Sequence, residues 1–202
     1  MNDIRAVPKQ KCDWFCDGGM MEKYHDEEWG IPQHNDRKLF EFLMLEGMQC
    51  GLSWTIIMKK RQTFFEAFDG WDFEKIANFD ENKLEEIKAY PNMLKSMPKI
   101  KAAVTNAKAF IKIREEYGSF DNYLWGFTNG KVLVYDSHKN AMPPQNELSE
   151  KIAKDLKKRG FKYLGAVTVY SFLQACGVIN DHQEKCFLYK EICENYPVDF
   201  LD

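Results

Sequence analysis

The 202-residue sequence predicts an all-α fold. Three observations lead there. Apolar residues recur with helical spacing almost throughout, residues of the N-capping type stand where periodic runs begin, and no internal repeat or low-complexity segment interrupts the pattern.

The elements follow in order. Asp36 can cap a helix running to about Met48, with Leu39, Phe40, Leu43 and Gly47 spaced for one face. Ser53 starts a second helix, WTIIMKKRQTFFEAF, which Asp69-Gly70 ends. Asp72 and Asp80 are N-cap candidates for two short helices. Pro91-Asn92 breaks the pattern, and Pro98 suits the first turn of a long helix reaching about Tyr117. Ser119 caps another short helix. Residues 127–147 read as loop, punctuated by Asn129-Gly130 and Pro143-Pro144. Ser149 opens a helix that Gly160 closes. The run LGAVTVYSFLQACG has the β-branched residues of a strand and the length of a buried helix, and the length favours the helix. Residues 80–117 thus form an αα-hairpin with lysines at and just after its turn. The backbone N–H groups at a helix N-terminus form an anion site that DNA phosphates use.

Length and the absence of a linker predict one domain spanning 1–202. Hydrophobic residues make up 45% and charged residues 29%, as in a soluble globular chain, and no run is long and apolar enough to span a bilayer. The N-terminus lacks an apolar signal core. Six cysteines without such a signal point to the reducing cytoplasm, with thiols or metal rather than disulfides. Cys16, Cys50, Cys176 and Cys193 are expected to pack or stay free. The net charge of −3 does not by itself mark a nucleic-acid binder. Lysine clusters at 59–61, 95–101 and 154–162 suit solvated helix faces, and equally suit contact with backbone phosphates.

Four residues could ligate a metal: Cys12 and His25 near one end, His182 and Cys186 near the other. A Cys₂His₂ set saturates a tetrahedral Zn²⁺ and leaves no open position, which is structural rather than catalytic chemistry. On a helix, His182 and Cys186 at i and i+4 would face the same way. Spacing alone does not bring the two ends of the chain together, and lone His and Cys residues commonly just pack.

Glu46 stands in the mostly apolar segment FEFLMLEGMQCGLSW. It is either a surface glutamate near a helix end or a carboxylate set in an aromatic pocket, for which Trp14, Tyr24, Trp29 and Trp54 supply flat faces.

Five blocks then carry a resemblance: YHDEEWG (24–30), LFEFLMLEGMQCGLSW (39–54), KKRQTFFEAF (59–68), LKKRGFKYLG (156–165) and YSFLQACGVINDH (170–182). In order, from about 12 to 187, they resemble the bacterial 3-methyladenine DNA glycosylase I family of the helix-hairpin-helix glycosylase superfamily. The resemblance implies a monofunctional DNA repair hydrolase that flips 3-methyladenine out of alkylated double-stranded DNA, releases it and leaves an abasic site. Cys12, His25, His182 and Cys186 match the family's structural zinc ligands. Glu46 matches the pocket carboxylate, Trp14, Tyr24 and Trp54 the base-stacking aromatics, and Ser171 the pocket wall. Gly51 and Leu52 match the loop that wedges into DNA, while Lys95 and Lys99 fall where the hairpin meets phosphate. Trp29 matches as support for the zinc-side loop. A monomer is expected, with no Schiff-base lysine and so no lyase step.

Two positions depart from the family pattern. The hairpin turn, usually Gly-Ile-Ile-Arg-like, reads NMLKSMPKI (92–100), where Asn92 can supply the left-handed backbone and Lys95 the charge without arginine's fork. Met21 replaces a pocket tyrosine found in some members and is expected to reshape the base site. These departures motivate one alternative, a damage-binding protein of the same fold without turnover.

Overall fold

The computed structural model describes residues 9–14, 19–139 and 142–202, so Cys16 lies outside the described residues. Among them are ten α-helices: α1 (Met20–Glu27), α2 (Asp36–Gln49), α3 (Trp54–Ala67), α4 (Phe73–Ile76), α5 (Glu81–Ala89), α6 (Met97–Tyr117), α7 (Phe120–Gly126), α8 (Glu147–Lys158), α9 (Ala166–Ala175) and α10 (Phe187–Asn195). The chain is mostly helical, as expected, with one small addition. β1 (Val132–Tyr135) and β2 (Val198–Leu201) pair in parallel, Val132 opposite Val198. The expected loop over 127–147 therefore contains a strand. Four residues are too few to carry a period, and its partner lies in the C-terminal tail.

Capping explains most of the helix starts. Ser53, Asp72, Asp80 and Ser119 each accept a hydrogen bond from a backbone N–H three residues on, as their chemistry predicts. Two starts differ from expectation. Asn35, not Asp36, caps α2, accepting from the Lys38 N–H at 3.1 Å. Asp36 is freed to accept from Arg114 Nε at 2.8 Å and from the Phe120 and Asp121 N–H groups at 3.1 and 2.9 Å, tying α2 to the start of α7. Asn146, not Ser149, begins α8; the two form a reciprocal capping box in which each side chain bonds the other's backbone. The ambiguous LGAVTVYSFLQACG run folds as α9 with most of its side chains buried.

Helix α2 is the spine. Every residue from Leu39 to Met48 is buried, against α3, α6, α7 and α9. Its outer half meets an aromatic cluster in which Phe110 stacks on Phe120 at 4.2 Å and Phe68 on Trp71 at 5.0 Å. Such apolar burial is the main favourable term holding the helices together. The expected hairpin is present as α5 and α6. Asn92 in its turn adopts φ +62°, the left-handed conformation foreseen for it, and Lys60 Nζ donates to its side-chain oxygen at 2.8 Å.

The two ends of the chain meet. Phe187 N–H donates to Gln10 O at 2.9 Å, and Asp13 N–H to the Gln183 side chain at 3.0 Å. No helix among the described residues is long and apolar enough to cross a membrane.

Candidate functional site

Cys12, His25, His182 and Cys186 come together, their ligand atoms all within 4.8 Å of one another and all four residues buried. His182 and Cys186 do not share a helix. They flank a turn just before α10, yet Cys186 Sγ still lies 3.6 Å from His182 Nδ1. The other approaches are 3.4 Å (Cys12 Sγ to His182 Nδ1) and 3.6 Å (Cys186 Sγ to His25 Nε2). An ion bound tetrahedrally at about 2.0–2.3 Å sets its ligands roughly 3.5 Å apart, so the donor set fits one. Outer contacts fix both imidazoles. His25 Nδ1–H donates to Asp26 at 2.8 Å and His182 Nε2–H to Trp29 O at 3.0 Å, leaving the opposite nitrogens to face the sulfurs. The hydrogen bond from the Cys12 thiol holds the Cys186 sulfur toward its thiolate.

Gly30, the last residue of YHDEEWG, is required here. Its φ is +79°, and a Cβ on it would meet His182 Nε2 at 2.5 Å. Gly30→Ala is expected to displace the ring, lowering stability by about 2 kcal/mol or more and Tm by roughly 4–8 °C. A melting curve recorded beside the bound-metal content checks this; a wild-type curve with full metal content would contradict it.

Beside this cluster opens a cavity of about 280 Å³, near the lower end of small-ligand sites (~300–1,000 Å³). It is lined by Trp14, Tyr24, Trp29, Glu46, Gln49, Trp54, Met142, Ser171 and Gln174. The Glu46 carboxyl is 4% exposed, on the third turn of α2. Of the two sequence readings, the surface glutamate is excluded by this burial. One carboxyl oxygen, Oε2, has no hydrogen-bond partner, and burial pushes the Glu46 pKa up to about 8. The Tyr24 hydroxyl is likewise buried without a partner, and burial, then the nearby Glu46 carboxylate, hold it well above the ordinary phenol range. Buried polar groups are nearly always paired. Two orphans on one cavity wall mark a place where a ligand completes the bonding.

The aromatic walls are arranged in pairs. Tyr24 and Trp54 rings lie 5.6 Å apart, and Trp14 meets Trp29 edge-on at 5.0 Å. Ser171 is half-buried and donates back to Val167 O at 3.3 Å. Met21 is buried in the core and is not among the described residues lining the cavity, so its replacement of a tyrosine does not directly reshape this wall.

Sequence reasoning missed Gln49, Met142 and Gln174. Trp29 lines the cavity while its ring packs on His182 at 4.6 Å, so one indole touches both sites. Gln174 donates through Nε2 to Asp181 at 2.8 Å, and Tyr170 donates to the same carboxylate at 2.6 Å. The one available signal was an amide inside an otherwise apolar helix.

The residues expected to meet DNA separate into two kinds. Gly51 (φ +80°) and Leu52 form the exposed loop between α2 and α3. Lys95 is exposed in the hairpin. Lys99 is half-buried, and its ammonium donates to Met48 O at 2.8 Å and Cys50 O at 2.7 Å. It closes the C-terminus of α2 and braces the Gly51-Leu52 loop. Cys50, Cys176 and Cys193 carry free thiols.

Comparison with known proteins supplies the remaining findings. A sequence model of the family described as methyladenine glycosylase matches residues 14–189. DNA-3-methyladenine glycosylase 1 of Escherichia coli K12 is 35% identical over 181 residues, covering 89% of this chain and 97% of that protein. The solved structure of 3-methyladenine DNA glycosylase I from Staphylococcus aureus, described as the basis of 3-methyladenine recognition, superposes with a TM-score of 0.83. It is 35% identical and covers 88% of this chain and 95% of its own. A variant of 3-methyladenine DNA glycosylase I in complex with 3-methyladenine matches with a TM-score of 0.82 at 34% identity, covering 88% and 96%.

Proposed function

Because the chain belongs to the methyladenine glycosylase family and is a DNA-3-methyladenine glycosylase, a hydrolase of N-glycosyl bonds, we propose how its own residues perform that reaction. The observation that carries the reading is the convergence of two unpartnered buried groups, Glu46 Oε2 and the Tyr24 hydroxyl, on one aromatic cavity.

Methylation at N3 makes adenine cationic while it remains attached to deoxyribose. The C1′–N9 bond is then weak, and little acid catalysis is required. The protein must extrude the nucleotide, hold it and admit water. Trp14, Tyr24 and Trp54 form faces on which the extruded ring stacks, and each good cation–π contact favours the charged base by roughly 0.5–2 kcal/mol. Glu46 accepts hydrogen bonds from the base edge. With its pKa near 8 it is mostly protonated when the cavity is empty, and meeting a cation ionises it. Neutral adenine meets only the protonated acid and gains no charge attraction, so the residue favours the lesion over the normal base. When the glycosidic bond breaks, its electron pair stays on the base, and water adds its oxygen to C1′ and loses a proton. The released 3-methyladenine is neutral and no longer balances the carboxylate. An abasic site remains in the DNA.

The other roles belong to the same proposal. Ser171 forms part of the pocket wall. Gly51 and Leu52 enter the base stack, Lys95 meets backbone phosphate, and Lys99 acts by holding the loop. Residues 1–202 work as one glycosylase domain, with 12–187 as its family-like core and a monomer as the working unit. A zinc ion on Cys12, His25, His182 and Cys186 saturates its coordination and serves structure alone.

The test is release of radiolabelled methyl-purines from methylated duplex. Free 3-methyladenine is expected to accumulate over many turnovers. Tight binding to the duplex without release would leave a damage-binding protein instead.

A further inference from the structure

Tyr163, between α8 and α9, adopts φ +60°, a left-handed conformation that non-glycine residues rarely take and that a fold must impose. The surroundings impose it. Asn106 of α6, 2% exposed, accepts from Lys162 N–H at 2.8 Å and donates to Lys162 O at 3.1 Å. The Cys50 thiol approaches Tyr163 O at 3.7 Å, and the bare Gly47 of α2 lies against its Cβ. The outcome is a phenol ring left 41% exposed. Among the described residues it makes no ring contact and no side-chain hydrogen bond. Burial therefore does not explain the strained backbone.

Its position suggests what does. Cys50, which touches Tyr163, directly precedes the Gly51-Leu52 loop. In the first turn of α9 stands Val167, 53% exposed, whose carbonyl accepts from Ser171 on the cavity wall. Tyr163 and Val167, both exposed and four residues apart, offer an apolar ledge between the loop root and α9. Leu52, 36% exposed, lies two residues beyond Cys50 in the same loop.

Extruding a base leaves a gap in the lesion strand and, opposite it, a base that has lost its partner. Leu52 is suited to the first. We propose that the Tyr163–Val167 ledge takes the second: the base left unpaired on the complementary strand stacks on the Tyr163 ring, which keeps the duplex from closing on the flipped nucleotide. This inference rests on the reading that the Gly51-Leu52 loop enters the stack. A flat, sequence-tolerant aromatic face suits a partner that is always a nucleobase.

The test uses a duplex carrying a tetrahydrofuran abasic analogue opposite 2-aminopurine, whose fluorescence is quenched by stacking. Wild-type protein is expected to keep the probe quenched on binding. Tyr163→Ala should brighten it and slow single-turnover release of 3-methyladenine from methylated duplex by about tenfold, a stacking-sized loss. Tyr163→Phe should restore both. Tyr163→Gly should melt above wild type, since glycine accepts φ +60° freely, and still fail in the duplex assays. Affinity for free 3-methyladenine, read by tryptophan fluorescence, should be the same in all four proteins. If Tyr163→Ala matches wild type in probe fluorescence and duplex release, the ledge has no such role. If wild type itself releases no 3-methyladenine, the pocket reading fails first, and the ledge reading with it.

Discussion

Glu46→Gln is expected to lose base excision by about 100-fold, the scale of one buried charge-assisted hydrogen bond, while melting at a higher temperature than wild type. Both effects have one cause. The unfolded carboxyl titrates near 4.5 and the folded one near 8, because burial removes water and nothing replaces it. Between those values the folded state holds the extra proton, so stability is fully present below about pH 4.5 and drains away as pH rises toward 8. At roughly 1.4 kcal/mol per tenfold change, the loss by pH 7 is about 3 kcal/mol. Glutamine keeps the shape and drops the titration. Its melting temperature should exceed that of wild type by at least ~5 °C at pH 8 and by little at pH 5.

The same proton governs affinity. Binding a cationic lesion ionises Glu46, so below about pH 8 each binding event releases a proton. Affinity for the lesion in DNA should therefore rise about tenfold per pH unit from ~5 to ~8 and then level off; in Glu46→Gln the slope should vanish. Calorimetry in buffers of different ionisation enthalpy reads the released proton directly. Unchanged excision by the variant would remove Glu46 from the mechanism, and an unchanged melting curve at pH 8 would show that the carboxyl is hydrated.

Much of this was legible in the sequence because it depends on neighbours in the chain. Ser53, Asp72, Asp80 and Ser119 cap their own helices, Asn92 takes the left-handed turn, and Asp69-Gly70 stops α3. The failures are those where a distant partner decided the outcome. Asp36 was assigned to its own helix, but two amides and an arginine far along the chain compete for it, and Asn35 was free to cap in its place. Strand β1 exists only because the tail supplies its partner.

The site divides in the same way. The resemblance, and not the residue chemistry alone, singled out Cys12, His25, His182 and Cys186, which the fold brings together. Only the fold could show that Gln49 and Gln174 complete the wall, or that the Lys99 ammonium bonds the carbonyls ending α2.

Stripping the metal, by a strong chelator or by Cys186→Ser, is expected to produce the second large effect. The four donors join the N-terminal segment to the turn before α10, so an ion held there would close a loop of nearly the whole chain. Binding to the folded state alone stabilises it by about 4 kcal/mol when metal stands a thousandfold above its dissociation constant, equivalent to roughly 8–16 °C in Tm for a chain of this size. Cys186→Ser should show that loss together with loss of one equivalent of zinc, and added zinc should not rescue it. The pocket should then suffer indirectly. Trp14 lies two residues from Cys12 with its ring 5.5 Å from His25, and Trp29 bonds His182 through its carbonyl. Both indoles line the base cavity, so freeing the ligands loosens two of its walls. Affinity for free 3-methyladenine should therefore fall in Cys186→Ser at temperatures where the protein is still folded, whereas a metal that activated water would leave base affinity intact and abolish only turnover. A closed four-ligand ion predicts the first pattern, because it has no open position from which to deliver water. An unaltered melting curve with zinc still bound would show that Cys186 is not a ligand.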